Sequence, residues 1–195
     1  MICIKARLQA GKDQIYQLQL RSQTERTIEV FSSNKRLAFA PGKKERNLHI
    51  LKPGEHSLVN IGVRASGAGA QRARIHCVDI QTKQLFQAWI LELEADKPIL
   101  NKTFEISLVK GRHQPYVLPF TNPLPEFAVF EFVSSQPNTM QVRREKNSFE
   151  GNQEGKLDLL FLPQGQAGDQ EVFLFINDED GNYSECFMFK IKVAQ

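Results

Sequence analysis

The side chains of this 195-residue chain best suited to metal or nucleophile chemistry are four histidines and three cysteines. Their spacing supports neither. His49, His56, His76 and His113 fall in different stretches, and no HExxH, GxSxG or Gly-rich phosphate loop occurs. Cys3, Cys77 and Cys186 are odd in number and far apart, with no CxxC pair and no His/Cys cluster to build a zinc site. They are expected to be buried free thiols of a reducing cytosol. Nothing places a nucleophile beside a base, so no catalytic residue, metal or cofactor is expected, and the chain does not read as an enzyme.

Two oxygen-rich strings need a separate reading. Asn177-Asp178-Glu179-Asp180-Gly181-Asn182 resembles the opening of a calcium loop. An EF-hand loop needs glycine at position six and a bidentate Glu at position twelve. Counted from Asp178, glycine falls at four and position twelve is Phe189, so a solvated hairpin turn is expected. Thr121-Asn122-Pro123 follows an alternating apolar string. Asn can bond its neighbouring backbone and Pro cannot continue a ladder, which makes the tripeptide a chain reversal.

The basic clusters remain as candidate partner-binding residues: Lys43, Lys44 and Arg46 in the first half, Arg143, Arg144 and Lys146 in the second. Arg72 and Arg74 share one strand face. Glu45, Glu145 and Glu150 dilute these charges, so a solvated surface and an acidic-partner site both stay open. The formal net charge of +3 is too small to imply nucleic acid. The longest mainly apolar run, Leu85–Leu93, is short and holds Glu92, so no membrane insertion is expected; the amino end has no apolar stretch of signal-peptide length.

Strands must position these residues. Apolar side chains recur at period two, with turn clusters every 8–12 residues, the pattern of an all-β sandwich. The first half offers Ile2–Leu8, Ile15–Arg21, Thr27–Ser32, Arg36–Phe39, Ser57–Ala65, Arg72–Ile80 and Phe86–Glu94. The second offers Lys102–Val109, Tyr116–Thr121, Ala128–Ser134, Met140–Arg144, Lys156–Leu162, Glu171–Asn177 and Glu185–Val193. The halves align at an offset near 100 residues. Tyr16–Leu20 mirrors Tyr116–Phe120, and Val30–Ser33 mirrors Phe132–Ser135. Two tandem immunoglobulin-like β-sandwiches of the major-sperm-protein type are expected, at residues 1–95 and 96–195, with the joint at Ala95–Pro98. Fourteen Phe against one Trp and three Tyr suggest cores filled by apolar rings. The closing strands Phe86–Glu94 and Cys186–Val193 are candidates for open edges that could accept a partner strand.

Three strings carry a family resemblance: QAWILELEADKPILNKTFEISLVKG (Gln87–Gly111), YVLPFTNPLPEF (Tyr116–Phe127) and FLFINDEDGNYSECFMFKIKV (Phe173–Val193). Together they resemble the C-terminal region of the nephrocystin-4 family. The resemblance implies a non-catalytic scaffold of the ciliary transition zone and basal body, in the cytoplasm and cytoskeleton. It also implies binding to nephrocystin-1 and related module proteins, with this chain a monomeric fragment. The alternatives are a cytosolic major-sperm-protein-like reader of acidic peptide motifs, an extracellular adhesion pair, and a packing role within a larger chain. The extracellular reading could use Asn101-Lys102-Thr103 and Asn182-Tyr183-Ser184 as glycosylation tripeptides.

Overall fold

A computed structural model describes residues 2–41, 47–162, 168–180 and 183–194. The chain divides into two compact units, Met1–Lys97 and Pro98–Gln195. Among the described residues there is no α-helix, and sixteen strands carry both units. The fold class is the all-β immunoglobulin-like tandem expected from the periodicity.

In the first unit the strands are β1 (Ile2–Gln9), β2 (Asp13–Arg21), β3 (Arg26–Ser32), β4 (Ala38–Phe39), β5 (Leu48–Leu51), β6 (His56–Arg64), β7 (Gly69–Asp79) and β8 (Leu85–Asp96). One sheet runs in the order β1-β8-β7-β3-β5 and the other β2-β6-β4. The second unit has β9 (Lys102–Val109), β10 (Gln114–Thr121), β11 (Ala128–Ser134), β12 (Met140–Val142), β13 (Lys146–Phe149), β14 (Glu154–Phe161), β15 (Gly168–Asp178) and β16 (Ser184–Ala194). Its sheets, β9-β16-β15-β11-β13 and β10-β14-β12, repeat the first unit strand for strand. In each unit the first strand pairs parallel with the last, while the other ladders are antiparallel.

The repeat extends to single hydrogen bonds. The Ser33 amide donates to Arg74 O at 2.8 Å and the Arg74 amide donates to Ser33 Oγ at 2.9 Å. Ser135 and Phe173 make the same exchange, at 2.9 Å in each direction. Gly11 and Gly111, at φ 85° and 74°, make the matching turns after β1 and β9, in backbone where a Cβ would be strained.

The cores differ more than the topology does. Leu18, Ile28, Val59, Ile75 and Leu91 fill the first, with Trp89 the large ring. The second is built on Phe120, Phe130, Phe132, Phe149, Phe161, Phe187 and Phe189. Phe120 meets Phe130 edge-on at 5.2 Å and Phe132 at 5.3 Å, a geometry that places ring edges on π faces. A core filled by phenylalanine rings therefore holds for the second unit only.

Two strands lie outside the seven expected per unit, β5 and β13. Both are four residues long, and each buries one side chain of the four, Leu51 or Phe149. So short a segment offers no apolar period. The candidate strands Arg36–Phe39 and Met140–Arg144 shrink to Ala38–Phe39 and Met140–Val142. The closing strands are not edges: β8 lies between β1 and β7, and β16 between β9 and β15. Parallel pairing to the first strand covers each of them, and no local pattern announces that pairing.

Candidate functional site

Of the candidate basic residues of the second unit, Arg143 and Arg144 sit on the connection from β12 to β13 and Lys146 opens β13. Arg143 and Arg144 are exposed, and neither guanidinium has an acidic partner among the described residues. The backbone holds the segment: the Arg143 amide donates to Asp158 O at 2.9 Å, and the Phe132 amide to Glu145 O at 2.7 Å. Lys146 is different. Its Nζ lies 2.6 Å from Glu179 Oε1, so this cation is already engaged within the unit. Lys43, Lys44 and Arg46 lie outside the described residues.

Most other arginines of the first unit are also committed. Arg7 forks onto both oxygens of Asp96, at 3.2 and 2.9 Å, and this pairing holds the Asp96 carboxyl below its usual range. Arg26 donates to Asp79 Oδ2 at 2.8 Å. Arg64, itself buried, pairs with Asp13 and lies over the Phe39 ring. Arg72 reaches Glu92 at 3.7 Å, whereas exposed Arg74 has no ion-pair partner among the described residues.

Of the calcium-like string, Gly181 and Asn182 lie outside the described residues; the strands on either side of it, β15 and β16, pair antiparallel. Asp178 Oδ1 accepts the Tyr183 amide at 2.8 Å, and the Asp178 amide donates to Tyr183 O at 3.2 Å. Asp79 holds the equivalent place at the end of β7 in the first unit, where its Oδ1 accepts the amides of Gln81 and Thr82. Those amides, led by Thr82, together with Arg26, lower the Asp79 pKa against the opposing effect of burial. No group of three metal-ligating side chains exists among the described residues. His49 contacts Asn47, His56 contacts Gln19, and the histidines do not converge.

Asn122 performs the chain reversal expected of it. It is fully buried. Its Nδ2 donates to Glu126 O at 2.9 Å, Glu150 O at 2.9 Å and Phe149 O at 3.2 Å, and its Oδ1 accepts the Leu124 amide at 2.9 Å. One amide thus ties the loop after β10 to the turn after β13. The thiols divide. Cys77 and Cys186 are buried, and burial pushes both up to about 12, but Cys3 is exposed. Cys3 pairs with Ile90 on the edge strand β1, on the face away from the core, which is why the expectation of burial fails there.

Two β-sandwiches with this strand order belong to the class of immunoglobulin-like domains. The family follows from comparison. Residues 10–96 match the family model for NPH4 Ig-like domain 3, and residues 101–194 match that for NPH4 Ig-like domain 4. The chain belongs to the nephrocystin-4 family. It is 28% identical to nephrocystin-4 of Homo sapiens over 173 residues, 87% of this chain and 12% of that protein. Against nephrocystin-4 of Xenopus laevis it is 26% identical over 145 residues, 73% of this chain and 10% of that protein. The chain therefore spans about a tenth of the length of these relatives. Nephrocystin-4 proteins are cilium-associated scaffolds, and immunoglobulin-like domains are non-enzymatic. Among solved structures, the Caenorhabditis elegans MSP family member WR4 aligns at 14% identity and TM-score 0.36, over 47% of this chain and 92% of its own. PapD-like domain 7 of human CEP192 aligns at 13% identity and TM-score 0.38, over 49% of this chain and 82% of its own. Likenesses at that level carry no functional argument.

Proposed function

We propose that this chain is a non-catalytic adaptor that binds nephrocystin-1 and related proteins of the ciliary transition zone and basal body. The observation that carries the reading is that both halves match consecutive immunoglobulin-like domains of a scaffold family. Such a module works by presenting fixed surfaces, and a few desolvated anchors supply its affinity. Arg143 and Arg144 are the basic anchors we assign to it. They project from a hydrogen-bonded segment, and no neighbouring carboxylate among the described residues neutralises them. Lys146 contributes less, because binding an acidic partner would compete with Glu179. Lys43, Lys44 and Arg46 stay as candidates on sequence alone. The proposal includes a cytoplasmic and cytoskeletal setting, a monomeric fragment, and no catalysis, cofactor, nucleic acid or membrane insertion.

Calorimetric titration with the nephrocystin-1 C-terminal region tests this. We expect binding of micromolar strength or tighter that weakens from low to physiological salt, and Arg143→Glu with Arg144→Glu should weaken it further. Binding indifferent to salt and to both substitutions would remove the arginines from the site. Absence of binding at low salt would refute nephrocystin-1 as a direct partner.

A further inference from the structure

The outer edge of the first unit's large sheet is built differently from its counterpart in the second. Among the described residues, strand β5 pairs with β3 on one side only. Its register sets Ile28 against His49 and Arg26 against Leu51, and the Val30 amide continues the ladder to Asn47 O at 3.0 Å. In an antiparallel ladder, alternate residues exchange both of their bonds with the neighbouring strand. Asn47, His49 and Leu51 are therefore turned towards β3, and the N–H and C=O groups of Leu48 and Ile50 point to the open side. The side chains of those same two residues are also uncovered, at 43% and 66% exposure. Phe31, at 40% exposure, lies on the same outward face of β3, alternating with buried Val30 and Ile28.

The second unit supplies an internal control. In β13, Lys146 stands opposite Glu131 as Leu48 stands opposite Glu29, and Ser148 stands opposite Val129 as Ile50 stands opposite Thr27. The equivalent edge is thus lysine and serine, with the lysine pinned by Glu179. Charged and polar side chains are how natural sheets blunt an open edge against strand addition. One copy of the fold carries that protection, and the other carries leucine and isoleucine in its place.

We infer that β5 is a docking edge for an extended segment of another protein, which adds to the sheet beside it. The segment would bond to the N–H and C=O groups of Leu48 and Ile50 and lay apolar side chains, at alternate positions, against Leu48 and Ile50. Size excludes a second copy of the chain as the intended occupant. Four residues give an edge of about 14 Å, far short of what an interface of about 1,200 Å² requires. Charge selects one flank of the segment. Lys52 follows β5 directly, exposed and without an ion-pair partner among the described residues. Acidic residues at the end of the segment beside it complement this lysine. This inference concerns the first unit alone and does not rest on the Arg143–Arg144 anchors or on nephrocystin-1.

The probe is a capped nine-residue peptide of sequence DDVTITVDD, titrated into the uniformly ¹⁵N-labelled chain. The amide signals of Leu48, Ile50 and their β3 neighbours should move, and the amides of Leu48 and Ile50 should gain protection from exchange. The double substitution Leu48→Lys with Ile50→Ser, which copies the second unit, should weaken binding by at least about tenfold. The same peptide with N-methylated backbone amides should fail to bind the unsubstituted chain, a comparison that needs no folded variant. Absence of shifts at β5, shifts confined to another surface, equal affinity of the double variant, or equal affinity of the N-methylated peptide would each overturn the inference. Concentration-dependent dimerisation abolished by the double substitution would also overturn it, because the edge would then belong to a second copy.

Discussion

Replacing Asn122 with serine should destabilise the second unit and leave the first untouched. The equivalent residue of the first unit is Ser22, buried like Asn122, whose hydroxyl donates to Thr24 O at 2.6 Å and accepts the Thr24 amide. Serine at 122 could therefore keep the local turn to Leu124. It cannot reach the three carbonyls that Nδ2 now serves. Glu150 O retains the Gln153 amide at 3.0 Å, and Phe149 O retains its ladder partner opposite Ala128. Glu126 O loses the side-chain donor that held it. One stranded carbonyl costs about 1–3 kcal/mol and the two weakened ones about 0.5 kcal/mol each, for a sum of about 2–4 kcal/mol. Because every 1.4 kcal/mol is tenfold in an equilibrium constant, the open state of this unit should become about 30- to 700-fold more populated. Thiol labelling under native conditions reads this directly. In a Cys3→Ser background, Cys186 reports opening of the second unit and Cys77 opening of the first. We expect Asn122→Ser to accelerate Cys186 modification by that factor without changing Cys77. A Cys186 rate raised less than about fivefold, below 1 kcal/mol, would refute the assignment of Asn122 as the tie between loop and turn.

Gly151→Ala should act on the same junction, because a Cβ there would stand 2.0 Å from Pro125 O; we expect a loss of about 1–3 kcal/mol, measured by urea unfolding. With the natural cysteines in place, iodoacetamide at pH 8 should label Cys3 promptly and reach Cys77 and Cys186 only after denaturant is added, as mass spectrometry of digested protein would show. The Asp79 carboxyl is depressed in the folded chain by the Thr82 amide first and then by Arg26, so its stabilisation is complete above the ordinary value of 3.8 and is lost as pH falls through the lower folded value. Asp79→Asn should therefore flatten the acid limb of the stability–pH curve of the first unit, and an unchanged limb would dismiss the pairing as a contributor.

What could be read from the sequence was whatever a strand repeats along its own length. The mirrored Tyr16 and Tyr116 fall at matching places in β2 and β10, opposite Ile61 and Leu159, and Ser33 and Ser135 make the same exchange with the neighbouring strand. These positions are legible because alternation and the hundred-residue offset are both local patterns. The edges were not legible. Which strand lies outermost depends on the parallel β1–β8 and β9–β16 ladders, whose partners stand more than eighty residues apart. The short strands β5 and β13 carry too few residues for a period, and aligning the two halves more finely could have exposed the contrast of Leu48 and Ile50 with Lys146 and Ser148. The ion pair that engages Lys146 is equally remote from its local sequence. Arg143-Arg144-Glu145-Lys146 reads as one basic cluster, and only folding separates the two uncommitted guanidinium groups from the occupied ammonium.

The parallel pairing of first and last strands has a mechanical meaning for each unit. Ile2–Gln9 runs alongside Trp89–Asp96 in the same direction, so the chain comes in at one end of this ladder and leaves at the other, about 25 Å away. Tension drawn through the backbone pulls β1 and β8 past each other lengthwise. All eight register pairs, and the Arg7–Asp96 fork at the far end, are then loaded together instead of being peeled open one at a time. The Lys102–Val109 ladder against Phe187–Ala194 has the same geometry. Such a unit transmits a pull along its length as a stiff link, and its resistance is set by the rate at which a whole ladder shears.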